Sequence, residues 1–235
     1  MRIGIPSEIK NREYRVGLSP ASVRELVAHG HQVAAQKDAG LAIGFSNEDY
    51  EKAGADIAPD AEQIYAGSNM IVKVKEPQAV ELGMLRENQI IFTYLHLAAD
   101  KEQTQGLISS GAVAIAYETV TDDKGGLPLL APMSEVAGRL SIQAGAHALE
   151  MSQGGSGTLL GGVPGVPPAK VTIIGGGVVG TNAARMAVGM GAHVTIIDRS
   201  LNRLRQLDDM FQGRVTTAYA TECHRQCKTD PLTTI

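Results

Sequence analysis

The run from Val171 to Gly180, Val-Thr-Ile-Ile-Gly-Gly-Gly-Val-Val-Gly, restricts this chain more than any other stretch. A short β-branched strand breaks there into Gly-x-Gly-x-x-Gly, with its glycines at Gly175, Gly177 and Gly180. A helical stretch, Asn182 to Met190, follows, and then a second apolar run that begins at His193 and ends on Asp198. Strand, glycines, helix, strand and acid in that order form the dinucleotide-binding pattern. Gly175 permits the tight turn, Gly177 lets backbone N–H groups approach a pyrophosphate, and Gly180 lets helix pack on strand. The helix N-terminus then offers unpaired N–H groups and a positive dipole end to the phosphates. Asp198 suits the ribose hydroxyls of NAD; its plainer reading is a turn aspartate, and Arg199 beside it could instead welcome a 2′-phosphate. Asp198 falls close to the end of the sequence, so the Rossmann-type sheet is expected to be incomplete.

The composition is that of an ordinary globular protein, with 43% hydrophobic and 20% charged residues. A net charge of −4 gives no electrostatic reason to expect nucleic acid or an anionic membrane as partner. No apolar run approaches the roughly 20 residues that span a bilayer. The opening Met1-Arg-Ile-Gly-Ile-Pro6 meets polar Ser7-Glu8 too soon for a secretory signal. Two cysteines make no disulfide framework, which points to a reducing cytoplasm.

Strands and helices alternate from the start. Strands are expected at 2–5, 32–35, 69–74, 89–94 and 112–116, and helices at 47–53, 60–66 and 101–109. Ser19-Pro20 caps a further helix that Gly30 closes. This spacing predicts an α/β protein with two domains, each an open parallel sheet. The first domain covers 1–130, and a Rossmann domain covers 131–220. Ser134 is expected to cap a helix over 135–151. The Gly- and Pro-rich stretch 154–168 reads as an ordered connection near the cofactor, with a flexible linker as the alternative. The segment 221–235 has no period of either kind and reads as an unrelated, disordered tail. It carries Cys223, His224 and Cys227, but no second ligand cluster accompanies them, so no metal is expected.

Three polar residues follow strands of the first domain: Arg15 after the first, Lys75 after Val74 and His96 after Tyr94. Ligands of open parallel sheets sit beyond the carboxyl ends of the strands. Arginine grips a carboxylate bidentately, lysine polarises a carbonyl, and histidine exchanges a proton near neutral pH. Taken singly, Lys75 beside Glu76 could be a surface ion pair and His96 a structural histidine. Together the three suit a small anionic substrate.

The chain resembles the alanine dehydrogenases. The resemblance rests on Met1-Arg-Ile-Gly-Ile-Pro, Glu13-Tyr-Arg15-Val, Val72-Lys-Val-Lys75-Glu-Pro, Thr93-Tyr-Leu-His96-Leu-Ala-Ala, Ile115-Ala-Tyr-Glu-Thr-Val, Leu127 to Arg139, Gly161-Gly-Val-Pro-Gly-Val and the glycine fingerprint. It runs from Met1 to about Ala220. It implies an NAD-dependent, reversible oxidative deamination of L-alanine to pyruvate and ammonia, in a homo-oligomer that is a hexamer in the family. It further implies that Arg15 and Lys75 bind substrate and that His96 is the catalytic acid/base. Ser134, Gly175, Gly177, Val178, Val179, Gly180, Asp198 and Arg203 would bind the cofactor. The related transhydrogenase alpha subunit shares the opening and the fingerprint but lacks the Lys-Glu-Pro and Leu-His-Leu features. Ala220 stands where the family commonly has a cofactor-contacting serine. The resemblance also implies a truncated, inactive form, without a catalytic aspartate and the later strands; a non-catalytic NAD-binding module is the alternative.

Overall fold

The computed structural model describes residues 1–221. The chain divides into two compact units, one of Met1–Leu127 and one from Pro128 onward. The segment 222–235, with Cys223, His224 and Cys227, lies outside the described residues.

The first unit alternates β1 (Arg2–Ile5), α1 (Pro20–Ala28), β2 (Gln32–Gln36), α2 (Asn47–Lys52), β3 (Asp56–Ala58), α3 (Ala61–Gly67), β4 (Met70–Val72), α4 (Ala79–Leu82), β5 (Ile90–Thr93), α5 (Lys101–Ser110) and β6 (Val113–Ala116). The helices start where short polar side chains can hold their first N–H groups. Ser19 accepts from the Ser22 N–H at 3.3 Å, with Pro20 directly after it. Asp60 and Asp100 do the same for Gln63 and Gln103, each at 2.9 Å. β3 and α4 were not expected, being too short for a hydrophobic period to register.

The six strands of this sheet run parallel in the order β3-β2-β1-β4-β5-β6. Both faces are buried. Val33 and Ala35 join one apolar cluster with Ile5, Val23 and Tyr50, while Ala34 between them joins another with Ile64, Ile71 and Ile91. Successive side chains of a strand point to opposite faces, so this alternation places a core on each side. The chain builds outward from β1 to β3 and then returns to pair β4 with β1. That reversal between β1 and β4 opens a crevice at the carboxyl edge.

The second unit holds α6 (Ala131–Ala148), β7 (Lys170–Ile174), α7 (Val178–Gly189), β8 (His193–Asp198), α8 (Leu201–Phe211) and β9 (Val215–Tyr219). Among the described residues its sheet has three parallel strands, ordered β7-β8-β9. Val171, Ile173, Val194, Ile196, Ala184 and Leu207 form its core, joined by Ile142 from α6. Close helix packing brings α6 onto α7: a Cβ at Gly138 would lie 2.2 Å from the Val179 carbonyl oxygen.

Two local expectations are corrected here. Ser134 lies inside α6 and does not cap it; its own N–H bonds to the Leu130 carbonyl at 3.2 Å. Pro132 explains the earlier start, since a proline in the first turn removes an N–H that has no helical partner anyway. The connection 154–168 is ordered, with Leu160 buried in the core. Its middle, however, packs away from the glycine loop: Gly161 meets Met190, beyond the C-terminal end of α7. Among the described residues no helix is long and apolar enough to cross a membrane.

Candidate functional site

The glycine loop of the second unit is shaped by three different requirements. Gly175 has a φ of 96°, which favours glycine at the turn off β7. A Cβ on Gly180 would come within 1.9 Å of the Gly175 carbonyl oxygen, so the first turn of α7 packs on the loop only without a side chain. Gly177 differs: a Cβ there would meet nothing within 4 Å. Its openness is that of a surface which an approaching ligand would cover. Ser134, Gly175, Gly177, Val178, Val179 and Gly180 all line one cleft of ≈ 520 Å³.

Asp198 and Arg203 do not line that cleft but bond to the loop at Gly176. Asp198 accepts the Gly176 N–H at 2.7 Å and the Ser200 N–H at 2.8 Å. These backbone donors, Gly176 first, hold its carboxyl below the usual range. Arg203 donates through Nε to the Gly176 carbonyl at 2.6 Å and through Nη2 to the Thr181 hydroxyl at 2.8 Å. Thr181 in turn donates to the Gly177 carbonyl at 2.7 Å. The loop is therefore stapled to β8 and α8 by side chains. Thr181 escaped the sequence reading, because a threonine after the third glycine carries no mark of that task.

In the first unit, Arg15, Lys75 and His96 follow β1, β4 and β5, three neighbouring strands at the switch point. Gly17 brings the Arg15 loop onto β4, with a Cβ there only 2.4 Å from the Val72 carbonyl oxygen. The Arg15 guanidinium pairs bidentately with Glu13, Nε to Oε1 at 2.8 Å and Nη2 to Oε2 at 2.5 Å. That hydrogen bonding lowers the Glu13 carboxyl to about 2, with the nearby Lys75 charge adding to it. Lys75 has both backbone groups engaged: its N–H donates to Glu8 at 3.3 Å, and its carbonyl accepts from the Thr93 hydroxyl at 2.8 Å.

His96 is exposed and adopts a left-handed backbone, with φ 50° and ψ 38°. Its ring stacks on Tyr94 at 6.2 Å, and Tyr94 packs edge-on against Tyr117 at 5.0 Å. Arg15 lies close enough to Tyr94 to act on its phenol electrostatically. Arg15, Lys75 and His96 are thus linked through Glu13, Thr93 and Tyr94. Glu13 and Tyr94 were not singled out from sequence, nor was Glu118, whose carboxylate accepts the His96 N–H at 2.7 Å. For Glu13 a signal existed, since an acid two residues before an arginine in a loop can reach its fork.

A family model for the N-terminal domain of alanine dehydrogenase/PNT matches residues 4–137, and one for the C-terminal domain matches 141–229. The chain belongs to the alanine dehydrogenase/PNT family. The alanine dehydrogenase of Halomonas elongata is 58% identical over 221 residues, 94% of this chain and 60% of that protein. The alanine dehydrogenase of Bacillus subtilis is 56% identical over 217 residues, 92% of this chain and 57% of that one. The chain thus spans about three-fifths of the length of these relatives. A solved L-alanine dehydrogenase superposes with a TM-score of 0.90 at 54% identity, covering 95% of this chain and 62% of its own. A transhydrogenase from Sinorhizobium meliloti, 24% identical with a TM-score of 0.77, shares the fold; the match covers 97% of this chain and 64% of that one.

Proposed function

We propose that this chain carries the substrate site and the dinucleotide site of an NAD-dependent alanine dehydrogenase, which interconverts L-alanine with pyruvate and ammonia. The observation that carries the reading is the gathering of Arg15, Lys75 and His96 behind three adjacent strands at a topological switch point. Membership of the family and the close relatives named alanine dehydrogenase support it. The open face of Gly177 and the closed face of Gly180 fit a pyrophosphate lying across the first turn of α7.

Within this reading Gly175, Gly177, Val178, Val179 and Gly180 hold the dinucleotide, Ser134 borders it, and Asp198 with Arg203 keep the loop in shape. A bound NAD would supply the acceptor for the hydride leaving Cα of L-alanine. Arg15 grips the substrate carboxylate, and Lys75 fixes the oxygen that develops at Cα. Water adds to the imine carbon, and His96 takes its proton. The carbinolamine nitrogen then takes that proton back from the imidazole and leaves as ammonia, while the hydroxyl proton passes to the freed imidazole as the carbonyl of pyruvate forms. The stacked Tyr94 holds the imidazole plane for these transfers. Asp198, with its carboxylate at the loop, disfavours a 2′-phosphate, so NAD is the cofactor.

The test joins this chain to the remaining portion of its Halomonas elongata relative and follows reduction of NAD and NADP with L-alanine and other small amino acids. L-Alanine with NAD should give the highest kcat/KM. Equal use of NADP, or a better amino acid, would contradict the assignment.

A further inference from the structure

A buried set of charges lies beneath Lys75, and the chemistry described above does not use it. The Lys73 ammonium is fully buried, and two carboxylates that are 2% exposed flank it: Glu8 at 3.2 Å and Glu81 at 2.5 Å. Each carboxylate also reaches the backbone of the segment that carries Lys75. Glu8 Oε1 accepts the N–H of Val74 at 2.6 Å and that of Lys75 at 3.3 Å. Glu81 accepts the N–H of Gln78 at 2.8 Å through Oε2 and the Tyr65 hydroxyl at 3.2 Å through Oε1. The Gln78 side chain closes the loop by donating to the Glu76 carbonyl at 2.9 Å.

Two carboxylates bound to one lysine therefore hold the two ends of residues 74–78. We propose that Glu8 is a positioning residue for Lys75, its carboxylate fixing the start of this loop while Lys73 and Glu81 lock the carboxylate and the loop's end. The inference rests on the reading that Lys75 binds substrate.

Three physical points carry it. Burying charges among apolar residues gains little stability over an apolar packing of the same volume. What these charges do provide is direction: carboxylates aimed at specific N–H groups make stronger bonds than neutral acceptors. Lys75 is then held at both backbone groups, by Glu8 from the loop after β1 and by Thr93 from β5. With its backbone fixed on two sides, the direction in which the Lys75 side chain leaves the backbone is set before any ligand arrives. Burial and the neighbouring Glu81 keep the Tyr65 phenol protonated, so it remains a donor to that carboxylate.

The experiment uses the whole 235-residue chain, with pyruvate as the probe. Glu8→Ala withdraws the acceptor but leaves Lys73 paired with Glu81. Amide exchange at Val74 and Lys75 should quicken by about 10-fold or more, and the pyruvate Kd should rise about as much. Exchange in β8 should be unchanged. Should Glu8→Ala fail to fold, Glu8→Asp keeps the charge beside Lys73 and pulls the carboxylate back from the loop, and the same two rises are expected. Lys75→Met separates this inference from the reading beneath it: it should abolish pyruvate binding with Val74 exchange unaltered. If Lys75→Met binds pyruvate as the wild type does, the substrate role of Lys75 fails, and exchange alone judges the hold of Glu8 on the loop. A folded Glu8 variant with wild-type exchange at Val74 and Lys75 overturns the proposal. So does wild-type pyruvate affinity in that variant when Lys75→Met has lost it.

Discussion

The Glu118 carboxylate accepts the backbone N–H of His96 at 2.7 Å and so holds that residue in a left-handed turn. The same carboxylate takes the Leu95 N–H at 3.1 Å. A non-glycine residue at φ 50° carries strain that its surroundings must offset, and such residues concentrate at functional sites. Removing the acceptor should therefore release His96. Glu118→Ala is expected to lower unfolding free energy by about 1–3 kcal/mol and to speed amide exchange at His96. Denaturant titration with exchange mass spectrometry reads both, and unchanged protection at His96 would refute the hold.

The second and third glycines of the glycine loop, Gly177 and Gly180, should respond in opposite ways. Gly180→Ala drives a methyl into the Gly175 carbonyl and should destabilise the second unit by about 1–3 kcal/mol or more. Gly177→Ala meets open space and should leave thermal stability unchanged while NAD affinity falls. Thermal melts paired with NAD titration distinguish them. A Gly177→Ala chain that binds NAD normally would count against the pyrophosphate position.

Acid should separate Glu13 from Arg15 late. The folded carboxyl titrates at about 2, against an ordinary value of 4.5, because Arg15 bonds to its ionised form. With the folded value the lower one, the contribution of the pair is whole above about pH 4.5 and is lost as the pH falls towards 2. The Glu13 carboxyl carbon, followed by NMR, should show that low midpoint, and Arg15→Met should return it towards 4.5. A wild-type midpoint already near 4.5 would mean that the two side chains part in solution.

Cofactor choice should turn on Asp198. Replacing it by serine removes a negative charge from the end of β8, so the preference for NAD over NADP should shrink by about 10-fold. Ratios of the two dissociation constants measure this. An unaltered ratio would move the discrimination to another residue.

Much of this arrangement was legible in the sequence for identifiable reasons. β-Branched runs, the helix cap at Ser19 and the glycine fingerprint are local signals, and the strands and helices they mark are present. Arg15, Lys75 and His96 could be grouped because each follows a strand, and strand ends of a parallel sheet share one edge. Their supports could not be read that way. Glu8 reaches a loop more than sixty residues on, and Glu118 reaches back across β6 to a turn after β5. Those contacts come from strand order, which no local pattern encodes. Ser134 was misread for a related reason: a serine is a good cap, but Pro132 ahead of it already fits the first turn.

The proposed proton transfers all pass through the imidazole of His96. In the fusion that carries the remaining portion of the Halomonas elongata relative, kcat for NADH formation from L-alanine should be compared between wild type and His96→Ala. A fall of about 10²-fold or more is expected, with NAD affinity unchanged because the fingerprint lies in the other unit. Turnover of His96→Ala at the wild-type rate would contradict it and leave the histidine a structural residue.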